Sequence, residues 1–401
     1  MRARWAIYAP MGIEARALRS GLRTATAPLG EPTGVVVQRT GTGPSRAART
    51  ARTRPAERPS AVAGIAGGLR GDLRPGDVVV ADEVRTDPLS DGRTPGVLHL
   101  PAAPLVAAAL RRRGLTVRTG PVVSTDHLVS GTDRDRLAAT GALAVDTESA
   151  WVLSGEADAA LACVRVVADP ATGGLLRPAT LAHLRAAVSN LPAVAAGLAE
   201  WAAATTVRQV LLASPRSFCA GGDRAIDVVE HMLVPDVATA ERIEVEDPTR
   251  VSFLLQTTRA VDEARDVVDV LRRRFPALSG PGSDDICYAT TNRQLALRAV
   301  AAASDVVLVL GSANSSNSLR LVEVAQRAGT SAYLVEDADG IDLRWLAGAG
   351  TVGVTAGASA APRLVDQAVA MLRDLGARHV DEHVETTEDV RFTLPKEVRP
   401  A

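Results

Sequence analysis

Lysine is almost absent from this 401-residue chain: Lys396 stands alone, and arginine supplies the rest of the 45 basic residues. That imbalance, with heavy use of alanine, reads as coding bias and carries no functional meaning. Cysteine is scarce as well. Cys163, Cys219 and Cys287 are too few and too scattered for a disulfide framework, which fits a reducing, cytoplasmic setting. Neither sign of charge predominates, since 45 basic residues face 46 acidic ones, and this argues against a general nucleic-acid binder. No run of about 18 apolar residues occurs, so no membrane span is expected. Two arginines precede a short apolar run at the N-terminus, but the run is too short for a signal peptide and reads directly into a strand.

What is present is an alternation of buried strands and alanine-rich amphipathic helices, long enough for two domains. WAIYAP, GVVVQRTG, AVAGIAGGL, GDVVVADEV, VRTGPVVSTD, ALAVDTESA and ALACVRVVAD read as strands; AAPLVAAALRRRG and PATLAHLRAAVSNLPAVAAGLAEWAAA read as helices. The pattern predicts an α/β domain over 1–205. A new strand begins at Val207, and the second α/β domain runs over 206–401. There the order is strand, cysteine loop, helix, an irregular acidic segment (235–248), strand VSFLLQ, helix, cysteine loop, helix, strand VVLVLG, helix, strand SAYLVE, short helix, strand TVGVTAG, helix.

Several loops of the first domain suit ligand work. Thr40-Gly41-Thr42-Gly43-Pro44-Ser45 lies between a strand and a helix, where its amides could hold an anion or simply turn the chain. Gly64-Ile65-Ala66-Gly67-Gly68 permits close backbone approach or a turn. Acidic residues close two strands, at Asp146-Thr147-Glu148-Ser149 and at Asp169, the position in an α/β sheet where ligand groups gather and also where caps and turns occur. Arg46, Arg49, Arg52, Arg54 and Arg58 suggest either a phosphate contact or, more simply, a solvated helix face.

Together APMGIEA, TGTGPSRAA, GIAGGLRGDLRPGDVVVADEV, VVSTDHLVSG, AVDTESAWV and CVRVVADPATGG resemble the nucleoside phosphorylase and nucleosidase superfamily, in particular the phosphorylase-like proteins associated with hopanoid gene clusters. The resemblance implies a purine-nucleoside pocket in which Glu148 binds ribose hydroxyls, Asp169 protonates the departing base and Glu14 orients the attacking water or sugar. Two positions depart from the family pattern. Thr147 stands where a methionine packs on the sugar, and Ile65 where a hydroxyl often helps hold the nucleophile.

In the second domain Cys219 follows an apolar strand and precedes an amphipathic pattern, Ile226, Val229 and Leu233. Such a strand-to-helix turn sets a thiolate beside a helix N-terminus and suits a metal or cluster ligand; a buried core thiol is the alternative. Its surroundings decide. SPRSFCAGGDRAIDVVE, QTTRAVDEARDVVDVLRRRFP, DDICYATTNRQLALRAV, VVLVLGSANSSNSLRLVEVAQ and VGVTAGASAAPRLVDQAV resemble, in order and spacing, the 4-hydroxy-3-methylbut-2-enyl diphosphate reductases, the LytB/IspH family of isoprenoid biosynthesis, over nearly all of 207–398.

That resemblance implies a lobed α/β fold around a 4Fe-4S cluster, with Cys219 and Cys287 as two of its three protein ligands. It further implies a pocket for an allylic diphosphate at Thr257, Ser315, Ser316, Asn317 and Ser359, and ferredoxin or flavodoxin as electron donor. The interval between Cys219 and Cys287 is 67 residues, shorter than the family's, so the middle lobe with its cysteine, its acidic proton donor and its pocket histidines has no counterpart. His231, His379 and His383 lie in no matching motif, and Cys163 sits in an apolar strand of the other domain. A homodimer pooling cysteines is compatible with the sequence. Three functions follow as expectations: a fused reductase-family enzyme, a nucleoside phosphorylase or hydrolase with a vestigial reductase module, and a non-catalytic diphosphate or cluster sensor.

Overall fold

The computed structural model describes residues 5–25, 35–90, 96–155, 160–169, 180–216, 234, 237–245, 247–249, 251, 253, 261–278, 288–357 and 360–385. The chain divides into two compact units: 1–208 with 339–350 and 369–378, and 209–338 with 351–368 and 379–401. Two later segments therefore return to the first unit, which a linear boundary at 205/206 does not express.

The first unit carries a ten-stranded mixed sheet built on three parallel strands, β1 (Trp5–Ala9), β3 (Ser60–Gly68) and β10 (Leu161–Asp169). β3 lies between the other two, pairing Ala61 with Ile7 and Val62 with Cys163. Strands covered on both faces need apolar residues at every position, which is why these three read as nearly unbroken apolar runs. β2 (Val35–Arg39) flanks β1, while β4 (Val78–Val80) runs antiparallel to β10 and leads to β7 (Val117–Thr119). At the carboxyl end of β3, Gly67 and Gly68 pair with β9 (Ala144–Asp146), beyond which come β8 (Val122–Ser124), β5 (Glu83–Thr86) and β6 (Leu98–His99). GDVVVADEV, expected as one strand, divides into β4 and β5 at Ala81 and Asp82. VRTGPVVSTD divides into β7 and β8 at Gly120 and Pro121, where proline lacks the ladder N–H.

The helices of this unit are α1 (Gly12–Ala25), α2 (Pro44–Thr53), α3 (Ala103–Arg111), α4 (Gly131–Ala139), α5 (Ser149–Val152) and α6 (Thr180–Ala204). Trp201 of α6 is fully buried and meets Trp5 of β1 edge to face, with ring centroids 6.5 Å apart, a favoured aromatic geometry. Arg46, Arg49 and Arg52 lie on the exposed side of α2, the solvated helix face anticipated for them. Arg54 departs from that pattern: it is buried, and its Nη2 donates to the Ser154 carbonyl at 3.2 Å.

In the second unit, five parallel strands run in the order β13 (Ser331–Val335), β12 (Val306–Leu310), β14 (Thr351–Ala356), β11 (Gln209–Ser214) and β15 (His379–Val384). β12, with Val306 to Leu310 all buried, is the hydrophobic centre. Its helices are α7 (Val237–Arg242), α8 (Val261–Arg274), α9 (Tyr288–Ala302), α10 (Ser316–Arg327) and α11 (Pro362–Asp374). α7 falls in the segment expected to be irregular; Ala240 packs there with Val267, Leu271 and Phe275, burial that an acidic composition concealed. β15 was not anticipated either, because its residues are largely charged and exposed and only the ladder to β11 makes them a strand. The strand expected at 251–256 lies largely outside the described residues. No helix among the described residues is long and apolar enough to cross a membrane.

Candidate functional site

The carboxyl ends of β3, β9 and β10 bring four acidic side chains and two arginines together in the first unit. Glu14 comes from the first turn of α1 and is fully buried. Its Oε2 accepts from the Met11 N–H at 2.6 Å and its Oε1 from the Ile65 N–H at 2.8 Å. Gly64 makes this possible: a Cβ there would stand 2.7 Å from Glu14 Oε1 and 2.9 Å from Arg165 Nη1. Burial pushes the Glu14 carboxyl above its ordinary value, against the opposing pull of the Ile65 amide and Arg165. Ile65, which lacks the hydroxyl the family often has at its position, takes part through its backbone.

Arg165 is a charged residue inside an otherwise apolar strand, and it is fully buried. Such a residue must be paired. Its Nε lies 2.7 Å from Asp146 Oδ2 and its Nη2 3.6 Å from Glu148 Oε2. Nε and Nη2 also donate to Ser149 Oγ at 3.1 and 2.9 Å. Asp146 Oδ1 accepts from Ser124 Oγ at 2.5 Å and from the N–H groups of Glu148 and Ser149 at 3.0 Å each. Burial opposes the charge on Asp146, but Arg165 and these donors hold its carboxyl below the usual range. Burial likewise works against the Arg165 guanidinium, and Asp146, with Glu148 and Glu14, keeps it firmly charged.

Glu148 stands at the N-terminus of α5, where Oε1 accepts from the Gly43 N–H at 3.0 Å and from Thr147 Oγ1. Gly43, in the loop suggested as an anion holder, thus gives its amide to a carboxylate of the protein itself. Thr147, in place of the family's methionine, orients the same group. Asp169 ends β10 just past a register shift, opposite Gly67. Its Oδ2 receives Arg134 Nη1 of α4 at 2.8 Å, and its main-chain oxygen receives Nη2 at 2.8 Å. Glu14, Glu148 and Asp169 thus lie towards the carboxyl end of the sheet with Asp146, Arg165 and Arg134. Arg165 was legible as a lone charge within LACVRVVAD; Arg134 was not.

Cys163 is fully buried, with Sγ 3.2 Å from Ser149 Oγ, and burial pushes its thiol up to about 11. It is a core thiol of the first unit, as its apolar strand suggested. Among the described residues no group of three or more His, Cys, Asp or Glu is placed to hold a metal ion.

In the second unit the loop after β12 leads into α10. Ser315 is buried and caps α10, accepting from the Ser318 N–H at 3.3 Å, while its own N–H donates to the Ser312 carbonyl at 3.0 Å. Ser316 is exposed and Asn317 half-buried in the first helical turn. The loop already holds one carboxylate, since the Ala313 N–H donates to Glu336 Oε1 at 3.0 Å and Ser312 Oγ approaches the same atom at 3.4 Å. Gly357, after β14, donates to the Leu310 carbonyl at 2.9 Å and ties the two strand ends together. Cys219, Cys287, Thr257, Ser359 and His231 lie outside the described residues.

Residues 231–373 match the LytB protein family, and residues 11–200 match the Phosphorylase superfamily. Over 168 residues the chain is 54% identical to 4-hydroxy-3-methylbut-2-enyl diphosphate reductase 2 of Mycobacterium bovis, covering 42% of this chain and 51% of that one. Over 158 residues it is 54% identical to the 4-hydroxy-3-methylbut-2-enyl diphosphate reductase of Sodalis glossinidius, covering 39% and 50%. The chain thus spans about half the length of the curated relatives it matches. Among solved structures it is similar to a 5'-methylthioadenosine/S-adenosylhomocysteine nucleosidase from Neisseria meningitidis, with 21% identity, a TM-score of 0.39 and coverage of 48% of this chain and 97% of that one. It is also similar to futalosine hydrolase of Helicobacter pylori, with 16% identity, a TM-score of 0.39 and coverage of 49% and 96%. The chain joins a Phosphorylase-superfamily region, residues 11–200, to a LytB-family region, residues 231–373.

Proposed function

We propose that the LytB-family region takes the substrate class of the 4-hydroxy-3-methylbut-2-enyl diphosphate reductases, an allylic diphosphate of isoprenoid biosynthesis, at the loop between β12 and α10. The observation that carries this is the Ser315-capped start of α10, with Ser316 exposed and Asn317 half-buried in its first turn. Hydroxyls and N–H groups at a helix N-terminus suit a diphosphate without a cluster of buried cations. Ser315, Ser316 and Asn317 supply them here, with Thr257 and Ser359 as further contacts. The family's activity would be reductive dehydroxylation to isopentenyl and dimethylallyl diphosphate, with electrons from ferredoxin or flavodoxin.

The donor set bears on that activity. A three-thiolate cluster site needs three available cysteines, and Cys163 is sealed in the core of the other unit beside Ser149. Cys219 and Cys287 are left, and two thiolates do not fit a complete cluster in one chain. Pyrophosphate titration by calorimetry tests the binding reading. Ser316→Ala, which removes a surface hydroxyl and no cap, is expected to weaken pyrophosphate binding by about tenfold, the worth of one hydrogen bond to a charged group. An unchanged affinity, or no binding by the native chain, contradicts the reading.

A second reading is favoured by the buried Glu14: N-glycosidic cleavage of a nucleoside in the Phosphorylase-superfamily region. A carboxyl raised by burial and fixed by two N–H donors is suited to take a proton from an attacking nucleophile near neutral pH. Glu148 would bind the ribose hydroxyls and Asp169 would face the departing base. Water suits this site better than phosphate. The Gly43 amide is given to Glu148, and four carboxylates (Glu14, Asp146, Glu148, Asp169) face two guanidinium groups (Arg134, Arg165), a balance that repels an anionic nucleophile. Glu14→Gln is expected to lower base release from a nucleoside panel by about 10²- to 10⁴-fold in kcat. Base release that survives the substitution undiminished would remove Glu14 from the chemistry.

A further inference from the structure

The nucleoside reading, on which this inference rests, gives Asp169 the task of protonating the departing base, yet the structure gives its carboxylate a guanidinium partner. Arg134 is buried, and it grips the site at three points: Nη1 on Asp169 Oδ2 at 2.8 Å, Nη2 on the Asp169 main-chain oxygen at 2.8 Å and Nε on the Gly68 carbonyl at 3.1 Å. Room for the group is built into β3, where a Cβ on Gly67 would stand 2.9 Å from Arg134 Nη2. Among the described residues Arg134 is the ion-pair partner of Asp169, and the Asp169 side chain is 18% exposed.

We propose that Arg134 is a positioning residue that fixes Asp169 as an anionic hydrogen-bond acceptor, and that the site selects ribosides whose base is already cationic, such as N7-alkylated purine or pyridinium ribosides, over neutral purine nucleosides. A carboxylate engaged by a guanidinium has no proton to give. A neutral purine would then have to leave as its anion, whereas a cationic base leaves as a neutral molecule. The surrounding charge points the same way, because carboxylates outnumber guanidinium groups at this end of the sheet and favour both a cationic base and a positively charged ribosyl transition state. Arg165 Nη1 is buried beside Gly64, next to Glu14 Oε1, and has no hydrogen-bond partner among the described residues.

The step balances without an added acid. The bond from C1′ to the base nitrogen breaks and its electron pair stays on the base, neutralising the cation. The bond from water oxygen to C1′ forms, and the proton released by that water passes to the Glu14 carboxylate. The products are ribose and a neutral base.

The test measures base release by the full chain from 7-methylinosine and inosine at mildly acid pH, where the methylated base keeps its N1 proton and its positive charge. The native protein is expected to show kcat/KM for 7-methylinosine about 10²-fold or more above that for inosine, the usual span of general-acid assistance. Arg134→Gln removes the guanidinium from the Asp169 carboxylate; it should narrow the ratio towards inosine, which a merely structural defect, lowering both rates alike, would not do. Comparable or faster cleavage of inosine by the native protein overturns the proposal and leaves the nucleoside reading standing. A ratio unchanged in Arg134→Gln overturns the role of Arg134, and release from neither substrate overturns both readings. If the variant fails to fold, the native ratio decides alone.

Discussion

Arg165→Met should cost about 3–5 kcal/mol of folding stability, because it removes one partner of a buried ion pair and leaves the others. Asp146, held below the ordinary carboxylate range by that guanidinium, would be left charged and desolvated. Ser149 Oγ would lose both its donors from Arg165, and Glu148 its nearest cation. Methionine has about the right length for the space and adds no charge, so the loss measures the network and not a cavity. Urea denaturation monitored by far-ultraviolet dichroism checks this; a midpoint within error of the native protein would mean that the buried charges are compensated elsewhere.

The second large effect is stabilising. Asp374, at the end of α11 within the segment that belongs to the first unit, caps the start of α3 by accepting from the Ala102 N–H at 2.8 Å. Burial raises its carboxyl to about 7, and the Ala102 amide offsets only part of that. The sign follows directly. The folded chain holds a proton on Asp374 that the unfolded chain has released, so stability attributable to this group is full below about pH 4 and is lost as pH rises through about 7. Asp374→Asn keeps an acceptor for Ala102 and removes the ionisation. It should raise stability at pH 8 by as much as about 4 kcal/mol and flatten the stability profile between about pH 4 and 7. Thermal unfolding at acid and alkaline pH checks the prediction. Equal effects at both would show that the carboxyl ionises freely in the folded state.

Part of this arrangement is legible in the sequence alone, for reasons that differ from residue to residue. Glu14, Glu148 and Asp169 stood at strand and helix ends, where side chains point out of the sheet, and short-range pattern finds such positions. Asp146 and Arg165 lay in runs otherwise apolar; a charge in a buried strand signals a partner without saying which one. Arg134 and Asp374 carried no signal. Arg134 meets an aspartate 35 residues away, and Asp374 meets the amide of a residue 272 positions earlier, and only tertiary packing makes those pairs. β15 escaped notice because exposed, charged HVDEHV has strand character only through its ladder with β11. The Ser315 cap shows the opposite case. A serine, a first helical turn and an apolar face beyond it are all local, and the cap forms where the sequence places it.

The two regions then make different demands on cofactors. The first unit gathers Glu14, Asp146, Glu148 and Asp169 with Arg134 and Arg165 from its own side chains. The second has a serine-capped loop at the start of α10, and with Cys163 buried in the core the sequence leaves Cys219 and Cys287 as its remaining thiols. The direct test is the iron and acid-labile sulfide content of anaerobically purified, reconstituted full-length chain. At most about two irons per chain are expected, since a four-iron cluster would have to draw its thiolates from more than one chain. Four irons and four sulfides per monomeric chain, lost on Cys219→Ser, would contradict it.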